Sequence, residues 1–197
     1  MSNPNSPFGF LEATAIDGAT TNYGFGTGKC LYSSGPLGKG DILQTSAGYL
    51  AQATVSGGGA AVAGTMIGAK WVSIAQGKTV WAESYPGNDS VGNADVEVYF
   101  LSHPNSILLC QPLNVAAAGA VTQAKVGLYA NYAIPVSGAA TTGGHWKSGF
   151  ALDDNTITST KGSLPLQIIA LEQPPATDPT SAFNLLRVAI VNFTGDY

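Results

Sequence analysis

A chain of 197 residues with a net charge of −4 and only 10% charged residues is long enough for one sizeable domain or two small ones, and needs neither disulfide nor metal to fold. Eight Lys and Arg residues, scattered singly against twelve acids, exclude a nucleic-acid binder, which needs clustered basic groups, and no apolar run approaches the roughly 20 residues that cross a bilayer. A charge content far below the roughly 25% usual for soluble domains leaves a surface of Ala, Gly, Ser, Thr and Asn, which is expected to be partly covered by neighbouring subunits.

In chain order, residues 1–7 are polar, with neither the basic nor the apolar region of a secretory signal, so manufacture in the cytoplasm is expected. Residues 1–35 show almost no alternation. They hold isolated Phe8, Phe10, Leu11, Tyr23 and Phe25 among small and polar residues, which predicts an extended N-terminal arm rather than a core element. A first β lobe is expected over 36–114, with strands at 41–45, 49–53, 66–75, 78–85, 95–101 and 107–111, each short, rich in β-branched and aromatic residues and bounded by Gly, Asn, Asp or Pro. Within it, Val96, Val98 and Phe100 alternate with Asp95, Glu97 and Tyr99, as in a strand with one wet face. Gln76-Gly77 has the length of a tight hairpin turn between two such runs. The glycine-rich stretch 56–64 reads as a surface loop or a close subunit contact. A second β region is expected over 115–197, with strands at 125–129, 156–160, 166–172 and 184–193. One short helix at most is expected, at 115–126, where Gly119 interrupts. The fold class is therefore all-β, with antiparallel β-sandwich or β-barrel lobes.

Residues that could carry chemistry have simpler readings. The string GFGTGK at 24–29 lacks the first glycine of a phosphate-binding loop, where Tyr23 stands, and the Ser or Thr after the lysine, where Cys30 stands, so a flexible turn is expected. His103 precedes Pro104-Asn105 in a turn, and His145 lies ahead of Asp153 and Asp154 without the spacing of a metal or triad site. Glu12, Glu83, Glu97 and Glu172 are isolated in sequence, so no paired-carboxylate site is indicated. Cys30 and Cys110 have no partner at zinc or redox spacing and are expected to be idle thiols. Trp71, Trp81 and Trp146 could form a sugar-stacking platform, although tryptophans in β proteins more often pack into cores or interfaces. The sequons at Asn88 and Asn192 carry little meaning without a secretory signal. No enzyme activity and no cofactor are expected.

The order of segments carries a resemblance. SPFGF at 6–10 is followed by GDILQTSAGYLAQA, IGAKWVSIAQGKTVWAESYP, ADVEVYFLSHPNSILLCQ, KVGLYANYA and a closing LLRVAIVNF. This resembles the small decoration, or cement, proteins of tailed-bacteriophage heads. Ser6-Pro7-Phe8-Gly9-Phe10, Ile67-Gly68, Tyr85-Pro86, His103-Pro104-Asn105 and Val126-Gly127 occupy the places of that pattern. Leu11-Glu12 stand where basic residues are usual, and the 56–64 loop is richer in glycine. The resemblance implies a protein that adds to the outer surface of a mature head and staples neighbouring major capsid subunits without catalysis. The capsid-binding residues expected in the arm are Pro7, Phe8, Gly9, Phe10 and Leu11, since an extended segment can lie along a neighbour or add a strand to its sheet. Partners would be the major capsid protein and further copies of the chain in a closed homo-oligomer, with a trimer as one guess, and neither nucleic acid nor membrane. Two other readings of the same composition are a tail, fibre or minor head protein and a carbohydrate-binding β module.

Overall fold

A computed structural model describes residues 3–15, 25–54, 62–113, 119–134, 139–140, 146–162, 164–173 and 178–193. Its strands are β1 (Leu11–Ala15), β2 (Gly26–Cys30), β3 (Leu37–Gly38), β4 (Ile42–Ser46), β5 (Tyr49–Gln52), β6 (Gly64–Val72), β7 (Thr79–Ala82) and β8 (Ser84–Tyr85). They continue with β9 (Val96–Leu101), β10 (Ser106–Cys110), β11 (Tyr129–Ala133), β12 (Ala139–Ala140), β13 (Trp146–Lys147), β14 (Ala151–Thr158), β15 (Leu166–Leu171) and β16 (Leu186–Ile190). All pairings between these strands are antiparallel. No described helix is long and apolar enough to cross a membrane. Of the helix expected at 115–126, residues 115–118 lie outside the described residues, and Gln123–Lys125 form a single 3-10 turn.

The first large sheet runs β1-β10-β16-β15-β11-β14. Beyond the end of β10 the chain meets β14, where Leu152 N donates to Gln111 O at 3.0 Å and Leu113 N to Leu152 O at 2.8 Å. The sheet thus curls back on itself around Leu108, Tyr132, Phe150, Leu152, Leu166, Leu186 and Val188, all buried. The second runs β2-β9-β6-β4-β5, with β7 on the far half of β6. Its interior holds Leu43, Leu50, Met66, Val98 and Phe100. Here β2 fills a tight place. A Cβ on Gly26 would stand 2.7 Å from Phe100 Cζ, and one on Gly28 would stand 2.5 Å from Leu50 Cδ1, so the inward positions of this strand leave room for the large side chains opposite. GFGTGK is therefore mostly strand, not the flexible turn its glycines suggest.

The two sheets share material rather than standing apart. Ile42 from β4 and Leu101 from the end of β9 are buried in the same cluster as the first sheet's core, and Val62 N donates to Asn192 O at 3.0 Å. Sheet membership also divides the chain differently from the expected lobes. β10 belongs with the C-terminal strands, so the crossing between sheets lies at 102–105, and the 1–35 segment contributes β1 to one sheet and β2 to the other.

The free arm expected at 1–35 is the main correction. Residues 3–10 lie strapped to the body of their own chain. The Asn3 side-chain amide donates to Asp178 O at 3.0 Å and Phe183 O at 3.2 Å, and Asp178 N donates back to Asn3 Oδ1. Gln111 accepts from Ser6 N and donates to Pro4 O, while Gly9 N and Phe10 N donate to Phe150 O and Gly40 O. Phe10 is 1% exposed and packs in the first core. Gly9, at φ +84°, would bring a Cβ to 2.6 Å from Gly40 O, so SPFGF reads as a conformational and packing requirement. Polar side chains spaced along the strap replace hydrophobic alternation, which is why the sequence gives no strand signal there.

Candidate functional site

The described residues contain no group of three or more His, Cys, Asp and Glu that could hold a metal. His145 lies outside the described residues. His103 Nδ1 accepts from Asn105 N at 3.1 Å, closing the turn between β9 and β10. Asp153 Oδ1 accepts from Asn155 N, and burial pushes its carboxyl up. Glu172 is held by Arg187 through two contacts at 2.6 and 3.2 Å, Glu83 pairs with Lys39, and Glu97 with Lys70 at 3.8 Å. Cys30 and Cys110 are buried free thiols, each pushed up mainly by burial, so neither presents a thiolate. Asp41, 2% exposed, accepts from Gly38 N at 2.8 Å and Gln52 Nε2 at 3.0 Å through Oδ2. Desolvation pushes its carboxyl up against the pull of those donors and Ser148. It ties the β3–β4 turn to β5.

The expected capsid-binding residues do not form an exposed patch. Phe10 and Gly9 are buried, while Pro7, Phe8 and Leu11 are half-buried against the chain's own surface. Their apolar character serves this fold.

Exposed apolar groups gather instead at the far end of the second sheet. Val72, Ile74, Trp81 and Val91 are 46%, 57%, 56% and 47% exposed, which for large side chains on one β hairpin and its neighbouring turn is a patch rather than scatter. β6 and β7 form the hairpin expected at Gln76-Gly77. Ser73 N donates to Lys78 O at 2.9 Å, and Gly77 takes φ +63°. Between this face and the turn at Val91–Asn93 runs a groove of about 350 Å³, with Val72, Thr79 and Val91 on its walls and Lys70, Asp95 and Glu97 along its rim. Trp81 lies beside it with its ring over Gly68, where a Cβ would stand 2.9 Å from Trp81 Cζ2. The glycine lets the indole lie flat on the sheet.

Asp89 makes this end rigid. Its Oδ2 accepts from Ser73 Oγ at 2.6 Å and Trp71 Nε1 at 3.0 Å, and its Oδ1 accepts from Ala75 N at 2.9 Å. Trp71 in turn packs edge-on against Tyr85, with ring centroids 5.3 Å apart, and the Tyr85 hydroxyl donates to Tyr32 O at 2.8 Å. Desolvation raises the Asp89 carboxyl, but the hydrogen bonds from Ser73, Ala75 and Trp71 outweigh it and hold the group below its ordinary value. A folded-state pKa below the unfolded one gives stability that is present above the unfolded value and lost as pH falls through the folded one. Acid should therefore loosen the hairpin end, read as a change in Trp71 fluorescence. Asp89→Asn, which turns an amide N–H toward a donor, should cost about 1–3 kcal/mol at neutral pH by urea denaturation and remove that acid transition. An unchanged urea midpoint would show that the network carries no stability.

The strands of this site are legible in the sequence but their exposure is not, because Val72, Ile74 and Trp81 look like ordinary strand hydrophobics until the sheet shows which face they occupy. The one available signal was Trp81 on the same strand face as Thr79 and Glu83. No protein-family model, no curated protein and no solved structure matches the chain.

Proposed function

We propose that this chain is a structural virion protein that binds the outer surface of a tailed-phage head and cements neighbouring major capsid subunits. It docks through the exposed end of its second sheet, not through an N-terminal arm. The observation that carries this reading is the cluster of Val72, Ile74, Trp81 and Val91, exposed together on a hairpin and the turn beside it, which Asp89 ties together. A preordered apolar patch with a tryptophan at its edge suits a protein interface, since little side-chain freedom is lost on docking. The low charge of the chain and the resemblance of its segment order to head decoration proteins support the same reading. Binding of many copies to a symmetric shell allows each contact to be weak.

The test is co-sedimentation with purified expanded heads assembled without the chain. Ile74→Glu with Val91→Glu changes two exposed residues, so it should leave folding stability within about 0.5 kcal/mol while weakening head binding roughly tenfold or more. Wild-type binding that survives the double change would remove the docking role from this end. Trp81, flat over Gly68 and opposite Lys70 on β6, favours one second reading, a carbohydrate-binding module. Glycan-array binding abolished by Trp81→Ala would support it.

A further inference from the structure

We propose that the free edge of β7 pairs, antiparallel, with β7 of a second copy of this chain across a two-fold axis. Antiparallel ladders alternate between residues that bond across the strand pair and residues whose N–H and C=O point the other way. Ser73 N donates to Lys78 O at the hairpin end, and the register pairs Trp71 with Val80 and Ala69 with Ala82. Val80 and Ala82 thus bond to β6, which turns the backbone N–H and C=O of Thr79 and Trp81 outward, off the sheet. Among the described residues β7 pairs with β6 and no other strand.

Natural sheets guard such edges with charges, prolines or bulges. The edge strand β1 carries Glu12, β14 carries Asp153 and Asp154, and β2 carries Lys29, while β5 lies against β2. β7 reads Thr-Val-Trp-Ala, with Thr79 and Trp81 exposed. Nothing in the strand opposes pairing.

A second copy fits this edge by symmetry. With Val80 facing Val80 on the axis, each Thr79 meets the Trp81 of the other copy, and both residues of each such pair present outward backbone groups. This is the condition for a bonded pair, and a two-fold axis normal to the sheet keeps the solvent faces of both copies on one side. The two second sheets become one continuous sheet. Ile74 and Val91, beyond the strand's end, stay exposed for docking, so the pairing stands on sheet geometry and does not depend on what that end binds.

Sedimentation velocity of the full chain from low to high micromolar concentration should show a monomer–dimer equilibrium. Thr79→Pro removes an N–H that points off the sheet and leaves the β6–β7 ladder intact, so the variant should stay monomeric with unchanged circular dichroism. Should Thr79→Pro fail to fold, hydrogen exchange on the unaltered chain decides the matter. The amides of Thr79 and Trp81 should slow by about tenfold or more as concentration rises. A monomer throughout the range, a Thr79→Pro dimer, or fast exchange at both amides at every concentration would overturn the pairing. Ile74→Glu with Val91→Glu should keep the dimer while losing heads, which separates this inference from the head-binding proposal.

Discussion

Phe10→Ala should destabilise the folded chain by about 3–5 kcal/mol, the range for removing a fully buried aromatic ring. The ring is 1% exposed in a cluster with Leu108, Tyr132 and Phe150, and its own backbone N–H donates to Gly40 O at 2.9 Å. The cavity left behind would open where the strap, the first core and the β3–β4 turn meet. Urea denaturation of the isolated chain reads the effect. An anchor on a free arm would behave in the opposite way, with stability unchanged and only partner binding lost. Truncating the first 28 residues fails as a test of an arm for the same reason, because it removes β1, Phe10 and part of β2 together.

Gly64→Ala should cost about 3 kcal/mol or more, enough to prevent soluble expression if the chain is marginally stable. A Cβ at this position would collide with the Leu101 carbonyl oxygen and come within 2.9 Å of the Leu101 carbonyl carbon and of Phe100 Cδ2. Backbone cannot yield as a flexible side chain can. The site is also the start of β6, with Leu43 opposite Gly64 and Leu101 opposite Thr65, so any shift would be felt in three strands. Gly28→Ala makes a useful comparison, since there the nearest atom is the end of the Leu50 side chain at 2.5 Å. It should be the milder of the two by urea midpoint, and equal losses would contradict the distinction between backbone and side-chain contact.

Where the sequence was legible, it was so through alternation. Val96, Val98 and Phe100 mark β9 because a single wet face forces a two-residue period, and β4, β5, β6, β10, β15 and β16 fall where β-branched runs between turn residues place them. β11 lies several residues beyond the strand expected at 125–129. Tyr129–Ala133 is buried along its whole length, so no alternation marks it, and the expected 125–129 run instead holds a 3-10 turn and a glycine with φ +87° at Gly127. β2 was hidden for a different reason. Gly26 and Gly28 face inward where Phe100 and Leu50 already fill the space, so its hydrophobic partners lie some 20 to 70 residues away in the chain and only the tertiary structure pairs them. The strap escaped detection because Asn3 and Gln111 hold it by polar contacts to residues far along the chain. The exposed apolar end of the second sheet is legible only as separate residues, since a hydrophobic at a strand position carries no mark of the face it occupies until the sheet is assembled.

The most direct test of the central claim is cryo-electron microscopy of virus particles that carry this chain, with the chain placed in the density. Copies at repeated symmetry positions outside the major shell, with Val72, Ile74 and Val91 against a capsid subunit, are the predicted result. Location only at the tail, or copies on the shell with that end of the second sheet pointing to solvent, would contradict it.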